Sequence, residues 1–492
     1  MSMLRYAAGL MPKRYHQFWN SQPPLRPAAC AAWRAVALVE YLMSSSLPLT
    51  TRRHFLAAST ALGLAACGGG GGEGSPPPAG IQGFTADAVA VGDPARLTAQ
   101  FSGGAGRIEP DVGAVQSGVP VSTPPLAGLR RFTLVVDVPG QPVLRRTLDV
   151  TPQYRDRYLA VETPQPLQYH AAVAASDGAV LVFGGSRGLP TMSEAIDRFD
   201  PATRRFTRIG SLATGRAQHT AVALAGDRAL VVGGLVSLST AGFAELVDLR
   251  TGAAEPAGWP VRPRVRHAAV ALADGRVLLV GGLQSASVEL WDPATRRFRL
   301  VAASMHNPRE YASATLLDDG RVLIVGGDHI SAAQRLAEVF DPRTERFEPV
   351  ASPLDAERRS MHGAHRLPDG RVLIVGGEVR TDAGLVALDS VLVFDPATQT
   401  LDTAGRLDAP RSLVRSLLTA DGDLRLFGGF TPAEGSARSA SRWRPGGGTL
   451  PAAAMPAGRA WHTVTAMADG RVLILGGDDA AGNAVGGGLV YE

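Results

Sequence analysis

The chain has 492 residues and a formal net charge of +4, with Lys13 its single lysine and arginine supplying the other basic charges. No run of five or six basic residues accompanies that small surplus, which argues against a nucleic-acid partner. The 57 glycines and 35 prolines suit many tight turns between short strands, and the two cysteines, Cys30 and Cys67, leave the later sequence without disulfides or thiolate metal sites.

Taken in order, the first eighty residues carry addressing signals. Arg52 and Arg53 precede an apolar stretch from Phe55 to Ala66 that is too short to span a membrane permanently. It ends in Leu64-Ala65-Ala66-Cys67, which resembles the lipobox (64–67) of bacterial lipoproteins, where the cysteine becomes the lipid-bearing first residue. Thr51-Arg52-Arg53-His54-Phe55-Leu56 also resembles a twin-arginine export signal. The resemblance implies a bacterial cell-envelope protein held in a lipid membrane through acylated Cys67, with Gly68 after it pointing to the outer membrane. Met43 begins an ordinary signal start, so 43–66 is the expected export signal and 1–42 an upstream extension arising from a misassigned start. Residues 67–80 are the lipidated cysteine and a Gly- and Pro-rich flexible tether.

Residues 81–151 alternate in the manner of half-buried strands, at Ala88–Val91, Ala95–Phe101, Arg131–Val136 and Val143–Leu148. Size and spacing resemble the immunoglobulin-like modules of bacterial surface proteins, a small N-terminal β-sandwich, though without a cysteine pair or tryptophan.

Residues 152–492 repeat one phrase seven times. Its diglycines fall at Gly184-Gly185, Gly233-Gly234, Gly281-Gly282, Gly326-Gly327, Gly376-Gly377, Gly428-Gly429 and Gly476-Gly477, with steps of 49, 48, 45, 50, 52 and 48 residues. In several copies an Arg-x-x-His precedes a small-residue strand, then an Asp-Gly turn, an apolar strand and the diglycine. A third strand ends in an aromatic residue plus acid, as in Phe199-Asp200, Trp291-Asp292, Phe340-Asp341 and Phe394-Asp395. Copy 2 departs with Val247-Asp248-Leu249 and copy 6 with Trp443-Arg444. The pattern resembles the kelch repeat family, which implies an all-β fold with a seven-bladed kelch β-propeller. The seventh copy reaches only a third strand at Tyr491-Glu492, so residues 157–161 are expected to supply its fourth.

The kelch family includes the copper enzyme galactose oxidase, whose radical site needs a tyrosine cross-linked to a cysteine. Beyond Cys67 this chain offers none, so no copper, haem, metal or other cofactor is expected and no catalytic residue is assigned. His170, His219, His267, His362 and His462 each stand 14 residues before a diglycine, with Ala312 and Val414 at that place in the other copies. One histidine per blade reads as structural, bonded to the neighbouring blade, because a metal site needs its nitrogens at one ion. Arg216, Arg264, Arg309, Arg359, Arg411 and Arg459 each stand 17 residues before a diglycine, with Leu167 in the first copy. In kelch proteins that bind acidic peptides, arginines near this position contact the partner. The resemblance therefore implies an anionic protein or glycan ligand on these six, while their regularity equally suits ties between adjacent blades. The leading functional expectation is a lipid-anchored envelope binding protein. The alternatives are a metal-independent, epimerase- or mutarotase-like carbohydrate-active enzyme and a non-binding scaffold.

Overall fold

A computed structural model describes residues 78–492, apart from 189–190, 237–238, 241, 329–335, 353–357 and 420. Cys67, the export signal and the upstream extension lie outside the described residues. Among these, no helix is long and apolar enough to cross a membrane, and the architecture is all-β.

Residues 80–150 form two antiparallel sheets. One joins Gly80–Ala86, Pro94–Ser102 and Val121–Pro125, and the other orders Gly113–Val115, Ala105–Glu109, Arg130–Asp137 and Leu144–Val150. Phe84, Leu97, Ala99, Ile108, Phe132, Leu134 and Val136 bury one shared core. The strand expected at Ala88–Val91 does not form. Its alanines carry too little apolar surface to demand a buried face, and only an isolated bridge from Ala90 to Gln153 pairs it.

Besides three two-stranded ribbons and one three-stranded sheet, which lie after several of the diglycines, the remaining strands make seven four-stranded antiparallel sheets. Their innermost strands are Ala171–Ala174, Thr220–Leu224, Ala268–Ala271, Ser313–Leu316, Gly363–Arg366, Arg415–Leu418 and Thr463–Ala466, here sheets 1 to 7. Each lies beside the next, and 463–466 lies beside 171–174. In sheet 7 the fourth strand is Tyr158–Val161, antiparallel to Gly488–Tyr491. The second strand of every sheet, such as Val322–Val325, is buried, apart from Arg228 at the start of Arg228–Val232. Burial on both faces explains why these segments read as apolar runs rather than alternation.

The diglycines join one sheet to the next. Gly327 N–H donates to the Arg359 carbonyl at 2.9 Å, and a Cβ on Gly326 would stand 2.0 Å from that same oxygen. Both glycines have positive φ, so the backbone can approach only without side chains. The same bond recurs at all seven junctions, ending with Gly477 N–H to the Leu167 carbonyl at 2.8 Å. Third and fourth strands are clasped by ring pairs, Phe199–Phe206 at 5.0 Å and Phe340–Phe347 at 4.8 Å between centroids. The acid that follows caps the turn, Asp292 Oδ1 accepting from Ala294 N–H at 2.8 Å.

Candidate functional site

The six arginines do not face a ligand. Each is between 0% and 3% exposed. Each donates through Nη1 to the carbonyl of the first diglycine residue in its own sheet, Arg264 to Gly281 at 2.6 Å and Arg459 to Gly476 at 3.0 Å among them. Three also reach a buried carboxylate: Arg216–Glu245 at 2.7 Å, Arg264–Glu289 at 2.8 Å and Arg309–Glu338 at 3.0 Å. The expected anion-binding ring is thus corrected. The regularity belongs to construction, because a guanidinium is long enough to satisfy carbonyls that the diglycine turn leaves without strand partners.

The histidines fourteen residues before the diglycines are likewise internal. His170 Nε2 meets Thr463 Oγ1 at 2.8 Å, His267 Nε2 meets Thr220 Oγ1 at 2.9 Å, and His362 Nε2 meets Ser313 Oγ at 2.8 Å. Each partner hydroxyl opens the innermost strand of the preceding sheet. His219 and His462 follow sheets that offer Ala171 and Arg415 at that place, and no hydroxyl reaches them. Burial pushes the His170 imidazole down to about 4, so the ring is neutral at pH 7.

Between arginine and histidine stands a position that is half-buried in six sheets and buried only at Leu413. Tyr169, Gln218, Arg266, Tyr311, Met361, Leu413 and Trp461 all have φ between 52° and 59°, left-handed backbone in residues with large side chains. The backbone is held there by bonds from one sheet to the next, as in Gln218 N–H to the Tyr169 carbonyl at 2.9 Å and Tyr311 N–H to the Arg266 carbonyl at 3.0 Å. The seven residues therefore ring the end at which the chain enters its innermost strands, hereafter the mouth.

Their side chains gather across it. Trp461 of sheet 7 packs on Tyr169 of sheet 1 at 5.0 Å and on Tyr311 of sheet 4 at 5.6 Å. The Arg266 guanidinium lies 5.3 Å from the Tyr311 ring centroid and donates to Gln218 Oε1 at 3.1 Å and Glu310 Oε2 at 3.2 Å. After the diglycines come further acids. Asp328 is paired with Arg380, whereas one oxygen of Asp478 is buried without a hydrogen-bond partner. Burial pushes the Asp478 carboxyl up to about 7, with Asp479 adding to the effect. Burial also raises the Tyr169 phenol, Asp478 raises it further and Arg266 opposes the shift. Aromatic faces beside a few convergent donors and acceptors form a surface suited to the apolar faces and hydroxyls of a sugar. A carboxyl that is half-protonated near neutrality exchanges protons readily.

Sequence reasoning passed over this position because no residue type repeats there. The available signal was the variable second x of Arg-x-x-His.

No family model matches the chain, and no curated protein matches it. In fold it is similar to a novel fungal alcohol oxidase of the AA5 family, solved in complex with copper. The two are 15% identical with a TM-score of 0.57, over 68% of this chain and 76% of that one. The likeness is one of fold, an all-β architecture of the general galactose oxidase-like propeller kind. Among the described residues, no three His, Cys, Asp or Glu side chains are grouped to hold an ion. The imidazoles beside the mouth are either spent on neighbouring hydroxyls or sealed in the interior.

Proposed function

We propose that the chain is a metal-independent, carbohydrate-directed enzyme acting at the mouth of a closed, seven-bladed kelch-type propeller. The observation that carries the reading is the convergence of Trp461, Tyr169 and Tyr311 with Gln218, Arg266 and Asp478 at a position where all seven sheets hold a large side chain on left-handed backbone. A sugar ring stacks on the aromatic faces, Gln218 and Arg266 orient its hydroxyls, and Asp478 gives or takes a proton at a hydroxyl or the ring oxygen. Chemistry of that kind is anomer exchange. The anomeric hydroxyl loses a proton and the ring oxygen gains one as the ring C–O bond opens. The bond recloses on the other face with the protons returned, and no metal is needed. A second reading, sugar binding without turnover, is favoured by the way the aromatic groups fill the opening.

An anionic protein or glycan partner loses its support from the six arginines, since none of them is accessible. The lipid anchor at Cys67, the bacterial outer membrane as location, and an immunoglobulin-like module between tether and propeller complete the proposal. They are supported by the order of basic flank, apolar stretch, small residues, cysteine and tether.

The test is a panel of mono- and disaccharides presented to the full chain, with binding read by calorimetry and turnover by exchange NMR. Trp461→Ala should weaken binding tenfold or more. Asp478→Asn should abolish turnover while binding persists. Binding unchanged in Trp461→Ala would move the site elsewhere, and turnover surviving in Asp478→Asn would remove the acid–base role. Mass spectrometry of the membrane fraction should find a lipid-modified Cys67, and a soluble protein beginning at Met1 would end the anchoring proposal.

A further inference from the structure

In sheets 2, 3 and 4 the third strand carries an inward glutamate, Glu245, Glu289 or Glu338. It sits opposite the residue two before the diglycine. Each takes two kinds of partner. One is the buried arginine of its own sheet. The other is a backbone N–H three residues before that arginine, from Ala213 at 2.8 Å, Val261 at 2.7 Å or His306 at 3.1 Å. Sheets 5, 6 and 7 keep the arginine and carry Leu392, Ser441 and Leu489 where the glutamate would stand.

Sheet 1 is the reverse case. Asp197 occupies the glutamate position, paired in register with Val182. The arginine is replaced by Leu167, and the residue three before it is Pro164, which has no N–H to give. Both partners have gone and the acid has stayed. Asp197 is 3% exposed, one of its oxygens is buried without a hydrogen bond, and no ion pair reaches it among the described residues. Beside it lies a cavity of about 20 Å³, lined among others by Thr163, Pro164, Gln165, Leu167 and His170. On that measure a water needs about 10–15 Å³, so the space beside the carboxylate holds about one water, whose place the N–H tip of a small head group would take.

Among the described residues nothing provides the missing charge. His170 is neutral, held low by burial, and its Nε2 is engaged with Thr463. Arg208, on the adjacent strand, acts on Asp197 from a distance while donating to the Gly210 carbonyl at 3.2 Å and Ser211 Oγ at 3.1 Å. Arg187, at the rim, donates to Gln165 Oε1. A buried carboxylate without partners is costly unless a cation joins it or it takes up a proton.

We propose that the junction of sheets 7 and 1 is a binding site for a small organic cation, an ammonium or guanidinium head group seated on Asp197. The ligand takes the place that arginine holds in the six other sheets. Its N–H groups meet the carboxylate, and Thr163 and Gln165 stand at the entrance. The site is separate from the mouth and does not depend on what the mouth binds.

The probes are methylammonium and methylguanidinium, added to the full chain at millimolar concentration. Tetramethylammonium at equal ionic strength serves as a cation without N–H donors. Calorimetry should show saturable binding of either N–H probe, together with a raised melting temperature. Asp197→Asn should weaken binding at least tenfold, while Trp461→Ala at the mouth should leave it unchanged. Leu167→Arg should fill the site from within, bind neither probe and melt higher than the parent; where that variant fails to fold, Asp197→Asn decides alone. Equal responses from the parent and Asp197→Asn, or an equal effect of tetramethylammonium, would overturn the site. So would the absence of any response to either probe, which would leave Asp197 a protonated acid against water.

Discussion

Replacing Arg264 with alanine separates a structural arginine from a ligand-binding one. Arg264 is 1% exposed and its side chain donates to the Gly281 carbonyl at 2.6 Å, the Ser287 carbonyl at 3.0 Å, Ser287 Oγ at 2.9 Å and Glu289 at 2.8 Å. Its removal leaves Glu289, itself 0% exposed, with only the Val261 and Arg262 N–H groups. Breaking a buried pair from one side costs about 3–5 kcal/mol, because the remaining charge has lost its counterion. Arg459 provides the contrast. It donates to the Gly476 and Gly487 carbonyls at 3.0 and 3.1 Å but has no carboxylate, and burial pushes its guanidinium down to about 10. Arg459→Met should therefore cost only about 1–3 kcal/mol, the penalty for carbonyls left unpaired. Equilibrium urea unfolding followed by tryptophan fluorescence measures both. The reasoning fails if Arg264→Ala lies within about 1 kcal/mol of the parent, or if Arg459→Met proves the more damaging change.

Three further outcomes are expected. Gly326→Ala should cost several kcal/mol in the same unfolding assay, since its Cβ would stand 2.0 Å from the Arg359 carbonyl. Gly320→Ala, also at positive φ but with nothing within 4 Å, should cost only about 1–2 kcal/mol. The Asp478 carboxyl is raised on folding, so its contribution is fully present below the ordinary aspartate range near 4 and is lost as pH rises through about 7. Asp478→Asn should flatten stability between pH 4 and 7 by a few kcal/mol, and an unchanged slope would show the carboxyl to be unshifted. Copper added to the purified chain should bind weakly and give no peroxide from galactose, whereas tight one-to-one uptake would contradict the absence of a grouped donor set among the described residues.

The elements legible in the sequence were those imposed by the backbone. Asp-Gly turns, diglycines and the aromatic-acid endings are local requirements, met by the same residues wherever the geometry recurs. Gly326-Gly327 can be read from composition because no side chain fits there. The mouth could not be read this way. Tyr169, Gln218, Arg266, Tyr311, Met361, Leu413 and Trp461 share a backbone conformation but no chemistry, and residue types do not report the sign of φ. Regularity drew attention to the arginines, yet a residue kept in six of the seven sheets serves what those sheets have in common. The Ala88–Val91 alternation misled for another reason: Val89 and Val91 turn inward, but Ala88 and Ala90 are too small to hold a strand, and the segment pairs only through one bridge. Asp197 could be found only by comparison among the sheets, where an acid without its arginine stands out.

The pairing of Tyr158–Val161 with Gly488–Tyr491 joins segments made far apart in time. A ribosome lays down Tyr158 more than three hundred residues before Tyr491, and until then that strand has no neighbour for its N–H and C=O groups. A product released early, by a stop codon or a stalled ribosome, would keep that edge bare and the Leu167 carbonyl without Gly477. Pairing of the Tyr158–Val161 strand thus reports that synthesis has passed Tyr491. Quality control that recognises unpaired strand edges would discard the incomplete chains and spare the full-length one.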